Sequence, residues 1–293
     1  MAAPPYPEEL QVLVERYLED LRFPVEPATA GLDEAMRYSL MAGGKRIRPV
    51  LALAAARALG MDPADVLPVA AAIELIHTYS LIHDDLPAMD DDDMRRGRPT
   101  CHKVFGEHVA ILAGDCLYAE AFGLVLGQQA GEPSRVMAAV RELADATGAR
   151  GMVGGQYIDV AQTATAGSEG LRHLHELKTG RLIGASVQCV LLLAGREETD
   201  TIAYRAFASE LGVLFQIVDD ILDVTGTDDD LGKPRGSDER HGKRTYVSEF
   251  GLDRARELAG ESHVRARGAL SRAAPGGARE LEQITDFIVT RTS

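Results

Sequence analysis

Between residues 211 and 224 the chain carries apolar residues round most of what their spacing predicts to be an α-helix. Such a helix belongs inside a protein. Yet Gln216, Asp219, Asp220 and Asp223 interrupt it at i, i+3, i+4 and i+7, and so share one face. Ionised carboxylates side by side in a buried place repel one another and lose their water, which is unfavourable unless a cation stands between them. A divalent ion meets that need. Hard ions such as magnesium take carboxylate oxygens and leave positions for water and substrate phosphates.

The helical period runs through nearly every long segment, in a chain rich in Ala and Leu with no tryptophan and no convincing β-alternation. An all-helical fold is expected, with helices near 8–20, 28–42, 47–59, 64–85, 108–127, 133–149, 171–177, 181–194, 198–224, 244–250, 252–270 and 276–291. Pro or Gly punctuates most junctions, as at Pro24, Pro63, Pro87, Gly131 and Pro234, and none reads as a domain linker. One domain over 1–293 is the expectation, its 45% hydrophobic content ample for a core. Residues 163–170 and 226–242 read as ligand loops.

A second carboxylate cluster ends an apolar helix over residues 70–85, where Asp84 and Asp85 precede a Pro87 stop and Asp90 to Asp93 follow. Alone, the four-aspartate run reads as a solvated acidic loop. Paired with the first cluster, it reads as the other half of a metal site. His77 lies seven residues before Asp84, on the same face.

Cations gather near these acids: Lys45, Arg46 and Arg48 after a diglycine, Arg95 and Arg96, Lys178, Lys233 and Lys243. Each alone reads as surface charge, as do Arg98, Arg235 and Arg244. Together they suit two diphosphates, one bridged by metal to both acidic clusters and one gripped directly. The diglycine segment lacks the spacing of a nucleotide P-loop. A formal charge of −14 argues against nucleic acid or an anionic membrane as partner. With three irregular cysteines, no signal-like start and no uninterrupted apolar run of roughly 18 residues, a soluble cytoplasmic protein without membrane insertion is expected.

At Asp84-Asp85-Leu86-Pro87-Ala88-Met89-Asp90 and Asp219-Asp220-Ile221-Leu222-Asp223 the sequence resembles the trans-polyprenyl diphosphate synthases. The resemblance extends through residues 43–49, 95–100, 154–156, 178–180, 215–220 and 231–233. It implies an antiparallel bundle of about ten or more helices around a deep central cavity, usually in a homodimer. Magnesium, about three ions per site, would be held by Asp84, Asp90 and Asp219, with Asp85, Asp220 and Asp223 in support. Arg95, Lys178 and Lys233 would grip the allylic diphosphate, and Lys45, Arg48, His77 and Arg96 isopentenyl diphosphate. Thr179 and Gln216 would face the developing carbocation.

Two extra residues in the first motif place the chain nearest the bacterial farnesyl diphosphate synthases. In the family, residues a turn before that motif stop the growing tail; here they are Tyr79 and Ser80. Helix geometry sets Ser80 beneath Asp84, whereas Tyr79 as the floor rests on the resemblance. A bulky Tyr implies a fifteen-carbon product, with the twenty-carbon geranylgeranyl diphosphate as the near alternative. A terpene cyclase, a non-catalytic regulatory subunit or a plain acidic metal binder are more distant ones.

Other features read as structural. Cys101 and His102 are adjacent on a loop with no third ligand evident, and His173 and His175 are expected at the surface. Gln156 and Asp159 are site-proximal by resemblance, and Arg244 departs from the small residue common at its position.

Overall fold

The computed structural model describes residues 6–24, 26–165, 167–226 and 242–291. Lys233 and Arg235 lie outside them. Fourteen α-helices run through the described residues: α1 Glu8–Asp20, α2 Ala30–Leu40, α3 Ile47–Ala58, α4 Leu67–Asp84, α5 Cys101–Phe105, α6 Glu107–Gln128, α7 Pro133–Thr147, α8 Met152–Val160, α9 Gly167–His175, α10 Arg181–Leu193, α11 Glu198–Thr225, α12 Tyr246–Phe250, α13 Leu252–Ala273 and α14 Arg279–Thr290. Their bundle is all-α, as the periodicity requires.

Helix α4 is the hub. Every residue from Pro68 to Ile76 is buried, acidic Glu74 included, and the helix packs against α3 on one side and α6 on another. Small side chains allow the α3 approach: Ala52, Ala54, Ala55 and Ala56 are buried on α3, as are Ala70, Ala71 and Ala72 on α4. Larger groups such as Phe207 and Leu117 fill the remaining space, each worth about 1.5–3 kcal/mol in burial. Pro133 starts α7, where Glu132 accepts a hydrogen bond from the Arg135 amide at 3.1 Å.

Most of the expected helices appear within a few residues of their expected ends. Two were not expected. Helix α5 has only five residues, too short to show a period. Helix α8 is hidden by a glycine-rich start, which exists for close packing: a Cβ on Gly155 would sit 2.3 Å from the Lys178 amide nitrogen. Helix α9 begins inside the expected loop, and one π turn, Glu176–Gly180, joins it to α10. Where no strand was expected, a minimal hairpin pairs Met94 with Pro99 and Arg95 with Arg98. Its two turn residues, Arg96 (φ 52°) and Gly97 (φ 70°), have the positive φ that such tight hairpins demand.

Two helical stretches, Pro63–Asp84 and Glu107–Gln128, are long and apolar enough to cross a membrane. Single charged and polar residues interrupt both, so neither stands out in the sequence as a continuous apolar run. The first is a core helix. The second, α6, is apolar beyond what its neighbours cover: Ile111, Leu112 and Leu126 are exposed.

Candidate active site

Helices α4 and α11 bring their acidic ends to one cavity of about 360 Å³. Ser80, Leu81 and Asp84 reach it from α4, and Phe215, Gln216, Asp219, Asp220 and Asp223 from α11. The α11 cluster therefore faces this space with three carboxylates and the α4 cluster with Asp84, while Asp85 and Asp90 are not among its lining residues. Arg48, His77, Arg95, Arg96, Lys178 and Thr179 line it too.

Polar partners hold the acids. Gln156 donates to Asp84 Oδ1 at 2.7 Å, Lys243 to Asp90 Oδ2 at 2.6 Å, and Arg291 to Asp219 Oδ1 at 3.1 Å. Arg95 reaches Asp85 Oδ1 through both Nε (2.7 Å) and Nη2 (2.6 Å), and so is anchored where the hairpin turns back toward α4. Lys178 pairs with Asp159 at 2.6 Å. A chain of donors then crosses the cavity wall. Thr179 donates to Gln216 at 2.9 Å, Gln216 to Asp220 Oδ1 at 2.7 Å, and the Tyr246 amide to Asp220 Oδ2 at 2.6 Å. Lys178 and Thr179 both sit on the π turn, a local irregularity frequent at functional sites.

Electrostatics set the protonation states. Burial raises the Asp84 carboxyl above its usual range and nearby Asp90 adds to this, against the pull of Lys178. Asp85 is lifted to about 6 by burial. Burial draws Lys178 down, but Asp84 and Asp159 outweigh it and hold the ammonium above its ordinary value. Arg48 is lowered to about 10 by burial, and burial with Arg48 nearby drives His77 well below its usual value. His77 is thus neutral, accepting at Nε2 from Arg48 Nη1 at 3.3 Å. The donor set Asp84, Asp90 and Asp219 is all carboxylate oxygen; Asp84 and Asp90 are half-buried and Asp219 exposed, and the repulsion that Asp90 exerts on Asp84 is what a bound divalent cation relieves, so the set fits magnesium.

Four sequence expectations are placed differently. Tyr79 does not line the cavity: its ring sits edge-on to Tyr118 at 5.1 Å, and Tyr118 to Phe122 at 5.2 Å, in an aromatic cluster between α4 and α6. Lys45 is exposed outside the cavity, its ammonium 5.6 Å from the Phe287 ring. Arg244 is no solvated cation, since it donates to the Thr165 and Gly167 carbonyls and pairs with Glu249. His175 is buried, 8% exposed, and stacks on Tyr246 at 5.5 Å beside Asp220. The expectation of a surface His175 came from its charged sequence neighbours; His173 does lie exposed. Arg291 was not foreseen at all. It follows α14 with no motif around it, yet its guanidinium covers the Phe215 ring at 4.2 Å as it holds Asp219.

Burial lowers His175 to about 4 from 6.5. Between those values the unfolded chain binds a proton that the folded chain refuses, so stability falls as pH is lowered through this window. Asp85 opposes it, because its raised carboxyl takes up a proton in the folded state first. Thermal melts from neutral pH to about 4 therefore show a steeper decline for the parent chain than for His175→Gln. Identical slopes would assign the decline to other groups.

Comparison with known proteins adds the lineage. The polyprenyl synthetase family model matches residues 29–269. A farnesyl diphosphate synthase of Geobacillus stearothermophilus is 48% identical over 253 residues, 85% of this chain and 84% of the relative. A chloroplastic geranylgeranyl pyrophosphate synthase of Capsicum annuum is 44% identical over 289 residues, 98% of this chain and 78% of that one. A geranyltransferase structure from Helicobacter pylori, solved with magnesium and isoprenyl diphosphate, superposes with a TM-score of 0.85 at 32% identity, covering 94% of this chain and 93% of the other. With both acidic motifs and the surrounding cations on one cavity, the chain belongs to the polyprenyl synthetase family, the trans-prenyl diphosphate synthases.

Proposed function

We propose that this protein is a magnesium-dependent farnesyl diphosphate synthase, one domain over 1–293, condensing isopentenyl diphosphate with dimethylallyl and then geranyl diphosphate. The observation that carries the reading is the convergence of Asp84 from the first acidic motif, Asp219, Asp220 and Asp223 from the second, and several cations on one cavity. In the reaction the allylic carbon–oxygen bond breaks and its electron pair leaves with the diphosphate. The isopentenyl double bond attacks the resulting cation, and the departing diphosphate takes the proton that restores the double bond.

The residue roles are those the family resemblance implies, supported for the residues that line the cavity by their charge and position. Asp84, Asp90 and Asp219 would hold magnesium, about three ions, which neutralises charge growing on the leaving diphosphate. Arg95, Lys178 and, by the resemblance, Lys233 would grip the same diphosphate, while Arg48, Arg96 and neutral His77 would bind isopentenyl diphosphate, a role the resemblance also gives to Lys45. Thr179 and Gln216 turn oxygen dipoles toward the carbocation, a preorganised electrostatic contribution. Arg291 holds Asp219 at 3.1 Å. Leu81, Met152, Phe215 and Leu222 form the apolar part of the wall, where a bound prenyl chain would exclude the water that otherwise traps the cation.

A fifteen-carbon product is supported by the aromatic cluster of Tyr79, Tyr118 and Phe122 between α4 and α6, bulk that would stop a tail extended past Ser80, which lines the cavity. It is supported also by the 48% identity to a farnesyl diphosphate synthase. The twenty-carbon reading draws on the 44% relative. Incubation with labelled isopentenyl and geranyl diphosphates, with and without magnesium, decides: mainly farnesol after dephosphorylation supports the proposal, and mainly geranylgeraniol overturns the product assignment. In the same assay Tyr79→Ala shifts the product to longer chains; an unchanged length removes Tyr79 from the floor.

We place the protein in the cytoplasm as a homodimer joined through α6. Its exposed Ile111, Leu112 and Leu126 suit a second copy better than an anionic bilayer, which the exposed Asp115 among them would repel.

A further inference from the structure

His102, which has no apparent partner in the sequence, gains two in space. Carboxylate oxygens of Asp91 and Asp93 and a ring nitrogen of His102 lie within 4.8 Å of one another. The two acids are exposed, but His102 is only 6% exposed and its buried Nε2 has no hydrogen-bond partner among the described residues. Its other nitrogen, Nδ1, lies 3.1 Å from the Thr100 hydroxyl. In the tautomer where that hydroxyl donates to the Asp93 carbonyl at 3.4 Å, it accepts from Nδ1–H and Nε2 carries the lone pair, the form that ligates a metal. A second group orienting a histidine in this way is the usual companion of a metal-ligating imidazole.

We propose that Asp91, Asp93 and His102 bind one first-row transition-metal ion of the manganese, cobalt or zinc class, separate from the magnesium site. The donor set selects the class. Imidazole with carboxylates suits these ions, whereas magnesium prefers oxygen alone. Ligands round such an ion sit roughly 3–3.5 Å apart, so the cluster closes by about an ångström, which two exposed Asp side chains do by rotamer change. Asp93 gives up its 3.0 Å pairing with Lys103 in the process. None of the three residues lines the catalytic cavity. A bound ion ties the loop after α4 to the start of α5, and so braces the backbone from which Asp90 projects.

The full chain titrated with Co2+ in a large excess of Mg2+ tests this, read by the visible absorption of cobalt and by the Tm. Magnesium occupies the oxygen-only carboxylates and leaves the imidazole site for cobalt. One Co2+ per chain is expected, with a raised Tm, and His102→Gln and Asp91→Asn each weaken binding by roughly tenfold or more. Asp84→Asn leaves it intact. Absence of cobalt binding, binding indifferent to both substitutions, or binding lost with Asp84→Asn each overturns the proposal. If His102→Gln does not fold, Asp91→Asn decides alone, because that residue is exposed.

Discussion

Asp84→Asn lowers kcat on the order of a thousandfold, while leaving the protein as stable as before or more so. The first half follows from electrostatics. Asp84 ends α4 at the cavity, and removing its charge takes away a proposed magnesium ligand, whose effect would be felt mainly when charge develops on the leaving diphosphate. The second half follows from the direction of its pKa. A carboxyl raised by burial and by Asp90 is one whose ionised form the fold disfavours, so a neutral isostere relieves a cost at neutral pH. The carbonyl oxygen of the variant's carboxamide still accepts from Gln156 Nε2, as Asp84 Oδ1 does. Measured together, kcat against magnesium concentration and the Tm separate this from a folding defect. Activity within tenfold of the parent would remove Asp84 from the metal set. A Tm lowered in proportion to the lost activity would make its role structural.

What the sequence reveals depends on how a residue's role is encoded. The helix containing Asp219 to Asp223 was legible because a polar stripe on an apolar helix is a contradiction that only a polar cavity resolves. The end of α4 was legible for the same reason. Helix α8 was not, because its glycines serve a close approach to the π turn, a purely three-dimensional need. His175 was misplaced since its charged neighbours in sequence point away from it in space; two residues separate an exposed His173 from a ring stacked on Tyr246. Arg291 carries no local signature, being defined only by Phe215 and Asp219, more than seventy residues earlier. Among the cations after the diglycine, composition alone offered no way to tell a ligand from a strut. Arg48 faces the cavity, Lys45 does not, and Arg46 serves the core.

Arg46 is the strut, and its loss of partner has the largest expected effect on stability. The residue is 3% exposed in a left-handed conformation, φ 51°. Its guanidinium bonds Glu74 at 2.7 Å, Glu15 at 2.8 Å and the Leu40 carbonyl at 2.6 Å. Glu74 is itself 1% exposed on α4, so the pair locks the diglycine segment onto the hub of the bundle. Burial alone disfavours the Arg46 charge, but Glu74 and Glu15 more than offset this and raise its pKa. Glu74→Ala leaves a buried cation leaning on half-exposed Glu15, a loss of about 3–5 kcal/mol. For a chain of this size that lowers the Tm by roughly 10 °C. Arg48, two residues on, loses its fixed approach to the cavity, so the KM for isopentenyl diphosphate rises with the fall in stability. Calorimetry and kinetics on Glu74→Ala test both, with Glu74→Leu in an Arg46→Met background as the control. Replacing the pair by apolar groups removes the orphaned charge and recovers much of the lost Tm, whereas equal destabilisation in both variants would assign the effect to packing.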